Sequence, residues 1–150
     1  MKSETPSIRT LQSKILALDI GSKRMGLALW NPGAQLGSVL PTLERKNLRA
    51  DLESIKNLVT AQGVEAFLVG MPLGLDGKMT KSAETSEFWI GQLKQNFQLP
   101  IFTFDEGLST KEAVKTMAHQ RKKKRESMKD GFAALMILED FIRECREYSE

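Results

Sequence analysis

The run Ile15-Leu16-Ala17-Leu18-Asp19-Ile20-Gly21-Ser22-Lys23-Arg24-Met25-Gly26-Leu27-Ala28-Leu29 constrains this chain more than any other segment. It sets one carboxylate, Asp19, in an apolar, strand-like stretch. Two glycines follow, Gly21 and Gly26, with the basic pair Lys23 and Arg24 between them. Burying a charge is costly unless it is paired or holds a metal. Asp19 is therefore a candidate metal ligand. Gly21-Ser22-Lys23-Arg24 has the composition to grip a phosphate with backbone N–H groups and cations.

The rest of the pattern says what surrounds that strand. Residues 15–20 read as a buried first strand, and 25–30 with 35–40 as a hairpin around Asn31-Pro32-Gly33. Leu48, Leu52, Ile55, Leu58 and Val59 recur at helical spacing, and Gly63 stands where that helix stops. Ala66-Phe67-Leu68-Val69-Gly70 is apolar throughout, as a parallel central strand is. A Gly/Pro-rich loop over 71–78 leads to a helix over 81–97, with Phe88, Leu93 and Phe97 turned inward. Residues 100–105 form another apolar strand. Ser109-Thr110-Lys111-Glu112 fits a capping box that opens a further helix. The last helix covers about 129–147, with Phe132, Leu135, Met136, Leu138, Phe141 and Ile142 on its apolar face. Strands separated by helices need crossovers and pair in parallel, while the hairpin adds antiparallel strands. The expectation is an α/β fold, a mixed sheet flanked by helices.

A chain of 150 residues suits one domain over 14–150, preceded by a flexible polar extension over 1–13. No apolar run is long enough to span a bilayer, and residues 1–14 lack the apolar core of a secretory signal. A cytoplasmic protein without a membrane partner is expected. The single Cys145 rules out an intrachain disulfide and reads as a packing residue. A net charge of +3 says little about partners. Its distribution says more: Arg121, Lys122, Lys123, Lys124 and Arg125 are consecutive, and the C-terminal stretch is acidic. Such a block either binds phosphate backbones or is a solvated helix end.

Further carboxylates can join Asp19. Asp105 and Glu106 stand where the strand Ile101-Phe102-Thr103-Phe104 ends, and sites in open α/β sheets gather at the carboxyl ends of parallel strands. Alternation lets only one of Asp105 and Glu106 point at an ion shared with Asp19; polar loop chemistry is the other reading of this pair. Asp130 also has two readings. Ser127-Met128-Lys129-Asp130 matches a capping box. Gly131, in contrast, lets the helix end approach the sheet and lean Asp130 over the strand edge. Three such acids form a hard-oxygen site suited to Mg²⁺ or Mn²⁺, and without a Cys/His cluster it does not suit Zn²⁺. Ions so held serve phosphoryl chemistry, including in-line attack of water on a phosphodiester. His119, the only histidine, is not needed as a base. Lys78 and Lys81 flank the loop at the end of a central strand, where a polymer would pass. Asp76-Gly77 reads as a turn.

Taken together, Asp19-x-Gly21-x-x-Arg24-x-Gly26, Val69-Gly70-Met71-Pro72 with Asp76-Gly77, Asp105-Glu106-x-x-Ser109-Thr110, and Asp130 with Ala133-Ala134 resemble the YqgF/RuvX family in order and spacing. The resemblance runs from about residue 14 to 142. It implies a ribonuclease H-like fold with a mixed five-stranded sheet. It implies a cytoplasmic nuclease assigned to maturation of the 5′ end of pre-16S ribosomal RNA. Precursor ribosomal RNA and the small-subunit precursor would then be its partners. The family is also described as Holliday junction resolvases. Carried over, Asp19, the Asp105-Glu106 pair and Asp130 are the metal-binding catalytic acids. Lys23, Arg24, Lys78, Lys81 and the block Arg121, Lys122, Lys123, Lys124 and Arg125 would position the nucleic acid. The family pattern usually has an arginine directly after the Asp-Glu pair; here that place is Gly107, and if that arginine contacts the scissile phosphate, this chain lacks a bidentate clamp. Lys111 or the 121–125 block could take over that role.

Two other classes remain in view. Asp-x-Gly-Ser also resembles the first phosphate motif of actin-like ATP-binding proteins, but those need two such domains and this chain is too short. A non-catalytic RNA-binding assembly factor would use the same basic residues for salt-dependent binding. Sequence leaves open RNA against DNA, internal against terminal cleavage, and monomer against dimer.

Overall fold

The computed structural model describes residues 7–72, 81–106 and 131–147, apart from the side chain of Glu106. The loop 73–80, the capping box at 109–112, His119, the basic block 121–125 and Asp130 lie outside the described residues.

The first strand, β1 (Ile15–Ile20), is the middle strand of a five-stranded sheet. It pairs antiparallel with β2 (Arg24–Asn31), which pairs antiparallel with β3 (Leu36–Glu44). On its other side it pairs in parallel with β4 (Ala66–Pro72), which pairs in parallel with β5 (Ile101–Glu106). The spatial order is β3-β2-β1-β4-β5. This is the mixed, helix-flanked sheet the pattern predicts, with the hairpin as its antiparallel half. The hairpin turn begins with an Asx-turn: the Gly33 N–H donates to Asn31 Oδ1 at 3.0 Å.

Period-two alternation sorts the core into two layers. Leu16, Leu18 and Ile20 of β1 pack with Leu27, Phe67, Val69 and Ile101 beneath α1 (Leu48–Gln62) and α2 (Lys81–Asn96). Ile15 and Ala17 pack with Ala28, Trp30, Leu68 and Phe102 beneath α3 (Gly131–Glu147). Helix α1 starts where Asn47 caps it, accepting from the Ala50 N–H at 2.9 Å. It stops at Gly63, in the left-handed region at φ 68°. Helix α3 comes close to β3 because Gly131 has no side chain; a Cβ there would collide with Val39 Cγ1.

The inward face of α2 differs from the expected one. Ala83, Ser86, Trp89 and Leu93 are buried, while Phe88 is 52 % exposed. Residues 86, 89 and 93 share one stripe at i, i+3 and i+7, and position 88 falls about 100° away from 89. Phe97 does turn inward and meets the Phe67 ring edge-on, with centroids 5.1 Å apart. The polar composition of residues 1–13 predicts a flexible lead, yet Ile8–Gln12 form a 3₁₀ turn. The Trp30 Nε1–H donates to the Leu11 carbonyl at 2.9 Å, and Leu11 packs against the α3-side core. That buried indole needs an acceptor, and the turn supplies it.

Two expectations concern stability. The open space around Gly63 makes the penalty of a side chain there one of backbone alone. Gly63→Ala should lower the unfolding free energy by about 1–2 kcal/mol in urea titrations, and Gly63→Asn by less. Cys145 is fully buried, and burial pushes its thiol up to about 11, with Glu144 adding to the shift. The folded state therefore holds this proton when the unfolded chain has released it. Its stabilising contribution is complete below the ordinary thiol range and fades as pH rises towards 11. Unfolding free energy should fall over that interval more steeply in the wild type than in Cys145→Ala.

Candidate functional site

Asp19 is the last residue but one of β1 and is half-buried. It has the parity of Ile15 and Ala17, so it belongs to the α3 side of the sheet. Its partner on β2 is Gly26. On β4 the parallel register runs through Leu18↔Val69, so the next position beside Asp19 is Gly70, which pairs onward with Phe104 of β5. Gly26 and Gly70 share the parity of the α3-side residues Ala28 and Leu68. The acid is thus flanked on its own face by a glycine on each side. That row is how a carboxylate on the most enclosed strand keeps open space around it.

The β1–β2 turn completes the surroundings. The Gly21 N–H donates to the Arg24 carbonyl at 2.9 Å, and a Cβ on Gly21 would lie 2.7 Å from that oxygen. A cavity of about 320 Å³ opens here, lined by Asp19, Gly21, Ser22, Lys23, Arg24 and Gly26. Lys23 and Arg24 are exposed, and Arg24 Nε sits 3.5 Å from Glu44 Oε2 in a surface pair of little energetic weight. Behind the turn lies Arg45, which the sequence reading passes over. Its Nη1–H donates to the Gly21 carbonyl at 2.7 Å, and its backbone N–H to the Lys23 carbonyl at 2.9 Å. Nothing in the string Glu44-Arg45-Lys46 marks the middle residue. A larger cleft of about 530 Å³ lies at the opposite end of β1, between the 3₁₀ turn and the β2–β3 turn, and includes Trp30 and Arg146. It contains none of the candidate acids or basic residues named above.

The remaining acids divide by parity. Phe102 packs on the α3 side and Phe104 is packed against that same core, whereas Ile101 belongs to the α1–α2 side. Asp105 follows Ile101 and Thr103 in the alternation, opposite to Asp19, and is exposed at the sheet edge. Position 106 is the one that continues Phe102 and Phe104. The backbones of β1 and β5 are two strand spacings apart, about 10 Å, with only Gly70 between them in the Asp19 row. The Asp105 charge is felt on α3: Glu144 is held above the usual carboxylate range by burial first, then by Glu147 and Asp105. Asp130 directly precedes Gly131, the residue through which α3 meets β3, but itself lies outside the described residues. So do Lys78 and residues 121–125. Lys81 is exposed at the start of α2. Among the described residues no three metal-ligating side chains cluster. Asp19 is the described acid on this face of the sheet, and a carboxylate oxygen is the donor type that fits a hard divalent cation.

A mixed sheet of this order, with an acid at the carboxyl end of its middle strand and helices on both faces, defines a ribonuclease H-like α/β protein. Residues 13–144 match the family described as RuvX, Holliday junction resolvase. The chain belongs to that family. Two relatives bear the name "Putative pre-16S rRNA nuclease". The one from Moorella thermoacetica is 34 % identical, over 86 % of this chain and 94 % of its own length. The one from Koribacter versatilis is 33 % identical, over 88 % of each. Among solved structures, RuvC of T. thermophilus with a Holliday junction substrate is 13 % identical over 83 % of this chain and 89 % of its own, with a TM-score of 0.49. No helix among the described residues is long and apolar enough to cross a membrane.

The closed turn has a direct test. Gly21→Ala forces a Cβ against a backbone oxygen rather than a yielding side chain. It should cost about 1–3 kcal/mol in urea unfolding, whereas Gly91→Ala, which meets nothing within 4 Å in mid-helix α2, should not destabilise.

Proposed function

We propose that this protein is a metal-dependent nuclease that hydrolyses a phosphodiester near the 5′ end of precursor 16S ribosomal RNA. The observation that carries the reading is the Asp19 row: one acid with glycine on both sides, at the carboxyl edge of the middle strand, beside a turn bearing Lys23 and Arg24. The substrate class is supported by the names of the relatives.

In this reading Asp19, Glu106 and Asp130 hold Mg²⁺ or Mn²⁺. Glu106 is preferred to Asp105 because position 106 continues the alternation on the Asp19 side of the sheet. Asp105 would then act through its charge at the edge. Bound ions of this kind supply activation of water and stabilisation of the leaving oxygen. The chain's own groups do the rest. The β1–β2 turn and Lys23 and Arg24 seat the backbone phosphate, and Lys78, Lys81 and residues 121–125 extend the basic track along the polymer. Phe104 and the glycine row bound the space on the sheet side. Gly107 supplies no guanidinium, so phosphate orientation falls to the β1–β2 turn.

A labelled RNA carrying the 5′ precursor segment should be cut in Mg²⁺ or Mn²⁺, and cleavage should vanish in chelator. Asp19→Asn should lower the rate at least about 10²-fold with its thermal midpoint not reduced. Asp105→Asn should lose much less than Glu106→Gln. A four-way DNA junction run in parallel tests the activity in the family's description; cutting of the junction alone would move the substrate from RNA to DNA. A well-folded protein that binds RNA with unaltered affinity in Asp19→Asn, and cuts neither substrate, would replace the enzyme with an assembly factor.

A further inference from the structure

The β1–β2 turn is held from behind. We propose that Arg45 is a positioning residue whose guanidinium fixes this turn so that the Ser22 N–H faces the cavity beside Asp19 and donates to a phosphate of the substrate. The nature of that substrate rests on the nuclease reading above; the anion-binding role of the turn does not.

Arg45 is anchored on the side of the sheet away from Asp19. Its Nε lies 3.7 Å from Oδ2 of Asp51, a residue of α1 that is only 2 % exposed. That is an ion pair too long to be a hydrogen bond, and Nε makes none. The other Asp51 oxygen, Oδ1, accepts from the Lys46 N–H at 3.0 Å, so the carboxylate cannot swing freely. The guanidinium also stands 5.8 Å from the centre of the buried Trp89 ring of α2, within cation–π range. From this fixed base it reaches the Gly21 carbonyl at 2.7 Å. Its hydrogen bonding is therefore spent on the turn rather than on its anchor.

The consequence follows from a planar trans peptide. The N–H of one residue points opposite to the carbonyl before it. With the Gly21 carbonyl drawn towards Arg45, on the α1–α2 side, the Ser22 N–H is sent towards the side that carries Asp19. Ser22 lines the cavity there, and among the described residues nothing accepts from its N–H. Lys23 contributes a cation at the same rim. A donor pre-aimed by the fold needs no reorganisation when the anion arrives.

The test uses inorganic phosphate and RNA on the full chain. In wild type, phosphate should shift the Ser22 amide resonance. Arg45→Lys keeps a charge beside Asp51 but cannot reach both Asp51 and the Gly21 carbonyl. It should weaken the phosphate response and raise the KM for RNA, each about tenfold, with kcat little changed. Arg45→Met combined with Asp51→Asn leaves no buried charge unpaired and should do the same, so loss of folding in one variant does not decide the matter. A Ser22 amide blind to phosphate in the wild type, or responding equally in both variants with KM unchanged, would overturn the proposal. A wild type that cuts no RNA, yet shows the phosphate response and its loss, would sink the nuclease reading and uphold the cradle.

Discussion

Asp19 follows four fully buried residues on β1, a strand with neighbours on both sides, and it escapes their enclosure only through the two glycines beside it. Desolvating a carboxylate on such a strand would be prohibitive. The sheet resolves this by ending: the acid sits where β1 gives way to a turn, in a row whose nearest members, Gly26 and Gly70, carry no side chains. Helix packing against that side then has to stop short of the same row. Gly131 lets α3 begin close against β3, two strands away from β1. The composition of the edge strands, the helix phases and the turn can be read as ways of keeping one charged group at the margin of a dry interior.

Much of this was visible in the sequence because it follows from short-range rules. Strand β1 begins and ends where the apolar run does. Asn31-Pro32-Gly33 marks the β2–β3 turn, and Gly63 the end of α1. The acid Asp19 and its glycines stand out because a charge and a missing side chain both break an apolar pattern. What escaped was whatever depends on phase or on distant partners. Phe88 and Trp89 are adjacent large aromatics, and only the register of the whole helix tells which one enters the core. Asp105 and Glu106 are equivalent in composition; parity separates their positions, and parity is fixed by where Phe102 and Phe104 pack. Leu11 lies in a polar stretch and gains its place only because Trp30, nineteen residues on, needs an acceptor. Arg45 is the extreme case. Its significance comes from Gly21, Asp51 and Trp89, three segments that a linear pattern cannot join.

The arrangement also divides labour between the two sides of the sheet. The α3 side offers an acid and open space. The α1–α2 side offers an ion pair whose Asp51 is buried and whose Arg45 is only partly exposed, beside the buried Trp89 ring. A partly buried pair of this sort is weak evidence for stability, since apolar replacements of equal volume often serve as well. Its value here is geometric, because it aims a carbonyl and thereby the amide that follows.

The sheet is also two structures in time. Strands β1 to β3 occupy consecutive chain, residues 15–44, joined by short turns. Strands β4 and β5 join only through helical crossovers, and α3 reaches β3 from the far end of the chain. Contacts close in sequence form with little loop-closure penalty, and distant ones form later. A ribosome therefore releases the hairpin half first and the helix that flanks Asp19 last. Until residues 131–147 emerge, the face of β1 that carries Asp19 lacks the helix that packs on it.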